Sequence, residues 1–74
     1  MNAKEEDQLR KIVVQKIKML RKQHNVTLEV FYNDTGIHLA RIEQGEINIT
    51  LVTLKRICDY FNIKTSFFLN EISL

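Results

Sequence analysis

Proline is absent from this 74-residue chain, and glycine occurs only at Gly36 and Gly45. Turn-dense β architectures draw heavily on both, so the shortage argues against a β-sandwich and for helices. Cysteine occurs once, as Cys58. It cannot close a disulfide within the chain, and with His24 and His38 as the only histidines it makes no metal-ligand spacing. A chain so poor in cysteine fits a reducing intracellular compartment, and the expected location is the cytoplasm. No apolar run approaches the ~20 residues needed to span a bilayer, and no signal-peptide pattern precedes the domain, so no membrane partner is expected. Also missing are paired carboxylates in a plausible pocket, a Ser/His/Asp set and a phosphate-binding glycine loop. So small a chain would struggle to enclose a substrate. The expectation is a protein that is not an enzyme and uses no cofactor.

What the chain has is apolar bulk and an uneven charge. Hydrophobic residues make up 45% of it, too many for intrinsic disorder. Its length corresponds to one domain, with residues 1–8 as a polar extension that frays or lengthens the first helix. A chain this short buries only about 60% of its unfolded surface, so its core must be efficient or be completed by a second copy. The net charge of +2 says little by itself. Its distribution says more. Arg10, Lys11, Lys16, Lys18, Arg21 and Lys22 follow one another with no acid between them, and the next acid is Glu29. From Gly45 onward, by contrast, bases and acids balance. The basic run is either the solvated face of a helix or the footprint of a nucleic-acid partner.

Apolar spacing places the elements. Leu9, Ile12, Val13, Ile17 and Leu20 fall on one helical face, and the helix should end near His24 with Asn25 left-handed. Thr27 is an N-cap for a short helix through Leu28–Tyr32. Asn33-Asp34-Thr35-Gly36 reads as a turn. A second short helix follows, with Leu39 and Ile42 inward and Gly45 as its stop. Residues 45–49 form a loop. Thr50 caps a fourth helix whose apolar stripe is Leu51, Leu54, Ile57, Cys58 and Phe61, with Asn62 as a left-handed stop. Cys58 is expected to be a small buried hydrophobe. A last helix spans about Thr65 to Asn70. The result is an all-α chain of five helices, two of them short and joined by a tight turn behind a basic first helix. Such a pair is how a recognition helix is held out from a small core.

Three stretches then carry a resemblance. The first is Ile17-Lys18-Met19-Leu20-Arg21-Lys22 with Val26-Thr27. The second is Gly36-Ile37 with Leu39-Ala40-Arg41-Ile42-Glu43-Gln44-Gly45. The third is Asn48-Ile49-Thr50-Leu51-Val52-Thr53-Leu54, running on to Ile57 and Phe61-Asn62-Ile63. In this order and at nearly this spacing they resemble the lambda-repressor-like (Cro/XRE) family of helix-turn-helix proteins. The resemblance covers about Val13 to Leu69, with the helix-turn-helix at about residues 27–44. It implies a compact five-helix bundle that binds double-stranded DNA as a transcriptional regulator, a repressor in the commoner case, and commonly as a homodimer.

The chain departs from the family in three ways. Between Thr27 and Gly45 it is about three residues shorter than usual. If the second helix is cut short, Thr35 caps the recognition helix, and Gly36, Ile37 and Arg41 occupy its base-reading face. If the second helix is complete, Gly36 is the turn glycine, Ile37 is buried behind it, and the recognition helix starts near His38 with barely two turns. The match of Gly36-Ile37 to the family's Gly-Val turn favours the second arrangement. Leu28 stands where the family often has a glutamine, so a customary phosphate anchor is missing. Tyr32 replaces a small residue, which alters the packing of the two short helices.

Arg41 faces the DNA in either arrangement. A guanidinium can bond two acceptors of guanine in the major groove, so Arg41 is the candidate base reader; the alternatives are a phosphate contact, or pairing with Glu43 or Asp34. His38, at the front of the helix, either contacts DNA or is an ordinary exposed histidine. Ile37 either touches a thymine methyl or belongs to the core, and the core is favoured. Thr27 and Thr35 sit where helix N-termini would present backbone N–H groups to phosphates, or are caps alone. Gln44 and Asn48 flank the following loop as neutral donors. Arg21 and Lys22 are candidates for non-specific phosphate attraction. The resemblance gives Glu43 a structural role, tying the recognition helix to its neighbours. An apolar surplus (Ile47, Ile49, Val52, Phe67, Phe68, Ile72 and Leu74) is divided between core and interface. The interface would receive either a second copy or, in an antitoxin-like module of the same fold, another protein at the apolar C-terminal face.

Overall fold

A computed structural model describes residues 2–72 of the chain. Among these residues there are five helices and no strand: α1 (Ala3–Gln23), α2 (Leu28–Thr35), α3 (Leu39–Glu43), α4 (Leu51–Tyr60) and α5 (Thr65–Asn70). The all-α expectation therefore holds. The radius of gyration is 12.0 Å. Leu74, counted above in the apolar surplus, lies outside the described residues.

The polar N-terminal stretch lengthens α1. Asn2 caps it, its side chain accepting the Glu5 N–H at 2.9 Å. Glu5 and Glu6 lie in the first turn, and Arg21 and Lys22 in the last, which suits the helix dipole at both ends. Thr27 and Thr50 cap α2 and α4 in the same way, accepting the N–H groups of Val30 and Thr53. Three helices end alike. Asn25, Gly45 and Asn62 take φ of 55°, 78° and 57°. The N–H of the next residue then reaches back to the carbonyl five residues earlier: Val26 to Arg21, Glu46 to Arg41 and Ile63 to Cys58.

The expected turn at Asn33–Gly36 is shorter than the pattern suggested. Asn33, Asp34 and Thr35 stay helical, and the chain breaks at Gly36, whose φ is 74°. Thr35 serves both the helix and the turn. Its hydroxyl donates to the Phe31 carbonyl at 2.8 Å and accepts the Ile37 N–H at 3.1 Å. Only Gly36 needs the left-handed region, which glycine enters without steric cost. The second arrangement is thus the one adopted: α2 runs through Thr35, Gly36 is the turn glycine and Ile37 is buried behind it.

Ile17, Phe31, Ile57, Cys58 and Phe68 are fully buried and define the centre, with Leu39, Ile42, Leu54 and Phe61 around them. Each large side chain so buried contributes roughly 1.5–3 kcal/mol. Phe31 carries α2 into this core. Its ring stacks on Phe61 with centroids 5.6 Å apart and meets the edge of Tyr60 at 4.7 Å. Cys58 is buried as expected, and loss of solvent pushes its thiol up from the ordinary range. One apolar assignment fails. Leu51, placed in the α4 stripe, is 71% exposed, so the stripe starts at Leu54. Leu51 lies in the first turn of α4, ahead of the part that packs on the core.

Candidate nucleic-acid interface

The helix-turn-helix is α2, the Gly36–His38 link and α3. Five residues give α3 a length of only about 7.5 Å, too short to persist on its own. Its orientation is therefore imposed by neighbours. Leu39 and Ile42 plant one face in the core. Glu43, at its last turn, is gripped by Arg21 of α1: Nε donates to Oε2 at 2.8 Å and Nη2 to Oε1 at 3.1 Å. Arg21 Nη1 also donates to the Val26 carbonyl at 3.1 Å, so one guanidinium joins the end of α1, the approach to α2 and the end of α3. Its hydrogen bond with Glu43 outweighs partial burial and holds the guanidinium pKa above its usual value.

A second brace runs from α4 to the end of α2. The Tyr60 hydroxyl donates to Asp34 Oδ2 at 2.6 Å, and Arg56 Nη2 donates to the Thr35 carbonyl at 2.7 Å. The Asp34 bond, as the main cause, raises the Tyr60 pKa from its ordinary value. A cation at the last carbonyls of α2 also suits that helix's dipole. The sequence reading missed both residues. Their partners lie 26 and 21 positions away, and the only available signal is that Arg56 and Tyr60 are four apart on one face of α4.

The sequence-derived candidates separate on this scaffold. Arg41 is exposed on α3. Neither proposed surface acid claims it, because Glu43 takes Arg21 and Asp34 takes Tyr60. His38 is exposed at the N-cap of α3, and its ring lies 4.4 Å from that of Tyr32. Gln44 and Asn48 are exposed after α3, and Lys22 is exposed at the end of α1. Thr27 is the α2 N-cap, as expected. Four candidates are corrected. Ile37 is 7% exposed and belongs to the core. Thr35 ends α2 rather than starting α3, so no helix N-terminus lies there to receive a phosphate, and Gly36 is the turn residue rather than part of a reading face. Arg21 is held by Glu43 and Val26 and is not available as a loose phosphate contact.

The other bases of α1 divide in the same way. Arg10 bonds Asp7 at 3.0 Å, and Lys16 lies 3.7 Å from Glu71. Among the described residues Lys4, Lys11, Lys18 and Lys22 have no ion pair. At spacings of seven and four they share one stripe of the helix. Lys11 and Gln15 line the same cleft as Gln44 and Gly45, where α3 ends.

A family profile described as helix-turn-helix matches residues 17–68, from one fully buried residue, Ile17, to another, Phe68. The chain belongs to that family. It is a lambda-repressor-like (Cro/XRE) helix-turn-helix domain, a DNA-binding module of a regulatory rather than an enzymatic family. No curated protein and no solved structure matched the chain. Among the described residues of this Cro/XRE domain, no helix is long and apolar enough to cross a membrane.

Proposed function

We propose that the domain reads a specific sequence in duplex DNA, with α3 in the major groove, and acts in the cytoplasm as a transcriptional repressor. The observation that carries this reading is Arg41, a guanidinium exposed on the recognition helix, with Glu43 and Asp34, the two acids considered as its partners, occupied elsewhere. One bidentate contact to guanine discriminates by about 1–3 kcal/mol. Specific binding usually exceeds non-specific binding by about 4–10 kcal/mol, so one Arg41 is not enough. A symmetric dimer doubles its contribution. Phe67 and Leu69 on α5 are 56% and 43% exposed, and they favour a two-fold contact through this end of the molecule. Two α3 helices would then lie about 34 Å apart, one turn of duplex. Lys11, Lys18 and Lys22 supply attraction to phosphates that does not depend on sequence.

The same exposed apolar residues, with Leu51 and Val52 each 71% exposed, favour a second reading in which the domain captures another protein, as an antitoxin does. Selection from a pool of random duplexes, with Arg41→Ala alongside, separates the two. The repressor reading expects a two-fold symmetric site to be enriched and the variant to lose it with its helical content intact. Equal binding to all sequences by both proteins, or none at low salt, would sink that reading in favour of a protein partner.

A further inference from the structure

The shortened α3 has few groups with which to read bases. Leu39 and Ile42 are buried, Ala40 ends in a methyl, and Glu43 is bound to Arg21. Arg41 alone projects donors from the helix itself. Three residues before it in the chain, however, one of a pair of exposed rings is found. His38 occupies the N-cap position without its side chain capping the helix. Tyr32 of α2 is 44% exposed and lies against it, with centroids 4.4 Å apart and planes inclined by 34°. Asp34 and Glu43 are held by Tyr60 and Arg21, so neither competes for these rings.

Two departures noted in the sequence meet at this place. The resemblance leads one to expect about three more residues between Thr27 and Gly45 and a small side chain where Tyr32 stands, and α3 has only five residues. We propose that the Tyr32–His38 stack stands in for the missing front turn of α3 and forms half of the base-reading surface. In this arrangement the Tyr32 hydroxyl and the His38 imidazole meet base edges beside Arg41. This inference rests on the DNA-binding reading above. The chemistry fits a major groove. A phenol both donates and accepts, a neutral imidazole does each at a different nitrogen, and the ring edges suit a thymine methyl. Stacking also holds each ring in place before DNA arrives, so less side-chain freedom is lost on binding.

The test is the enrichment of sequences from random duplexes by the full chain, by Tyr32→Ala, Tyr32→Phe and His38→Ala, and by Arg41→Ala for comparison. Circular dichroism follows the fold of each. Tyr32→Ala and His38→Ala should lose preference at shared base positions that differ from those lost by Arg41→Ala. Affinity for the wild-type site should fall by about tenfold or more, with low-salt binding to unrelated duplex unchanged. Tyr32→Phe keeps the stack and should retain the preference that depends on His38. Wild-type enrichment and affinity in the Tyr32 and His38 variants would overturn the proposal while leaving the DNA-binding reading intact. If Tyr32→Ala unfolds, His38→Ala, at an exposed position, decides the matter. Failure of the unmodified chain to enrich any sequence would remove both readings, and would be visible before any variant is made.

Discussion

Removing Arg21 while leaving Glu43 should cost this domain a large share of its stability. The two side chains are only 11% and 8% exposed, and their bond is bidentate. In Arg21→Met the Glu43 carboxylate stays enclosed with both cationic donors gone, and the Val26 carbonyl loses a donor. Breaking a fully buried pair from one side costs about 3–5 kcal/mol, and for this part-buried pair the lower figure is the ceiling. At roughly 0.05–0.15 kcal/mol per residue, a domain of this length holds about 4–11 kcal/mol in total. A loss of about 3 kcal/mol would be about a quarter of the larger total and about three quarters of the smaller. Urea unfolding followed by far-UV circular dichroism measures this directly, with a fall in the midpoint and an unchanged slope. Glu43→Leu should be destabilised too, because it strands the guanidinium. The double variant Arg21→Met/Glu43→Leu should recover part of the loss, because neither charge then remains unpaired. A loss below about 1 kcal/mol in both single variants would refute the reasoning, since that is how a solvent-screened surface pair behaves.

Replacing Lys11, Lys18 and Lys22 together by Gln should flatten the salt dependence of DNA binding. The slope of log affinity against log salt should change by up to about 2.7, from ~0.9 per phosphate contact, with the fold unaffected. An unchanged slope would show that this stripe does not touch DNA. The Tyr60–Asp34 bond makes a pH prediction. The folded phenol ionises at a higher pH than an unfolded one. Its contribution is therefore complete below the unfolded value of about 10 and is lost as pH rises through the folded value. Tyr60→Phe should show a flatter fall in stability across that alkaline range than the parent chain, measured by denaturant midpoints.

Much of the fold was legible because the signals were local. Thr27 and Thr50 sit at helix starts, Asn25, Gly45 and Asn62 at helix ends, and α5 was placed at its observed bounds, Thr65–Asn70. All of these are decided by a few neighbouring residues. The misjudged points depend on distant partners. Asn33 to Thr35 have turn-forming side chains, yet α2 runs through them, with Tyr60 and Arg56 fastened to its last residues. Leu51 matched the helical period, but periodicity cannot show where along a helix the contact surface starts. Arg21 looked like every other base of its run until Glu43 was seen 22 residues away in the chain. For the interface, the sequence marked Arg41 and His38 as neighbours, but not the ring of Tyr32 beside His38.

The brevity of α3 has a consequence for how this domain would respond to heat or denaturant. Five residues cannot stay helical without the rest of the protein, and the contacts that hold α3 come from the core and from α1. The recognition element therefore cannot outlast the centre of the molecule. Any opening that releases Ile17 and Phe31 also releases α3, so its backbone amides should be no better protected from exchange than those of the core. Occupancy of any DNA site would then be capped by the folded fraction, and a destabilising substitution in the core far from the groove would lower it through that fraction.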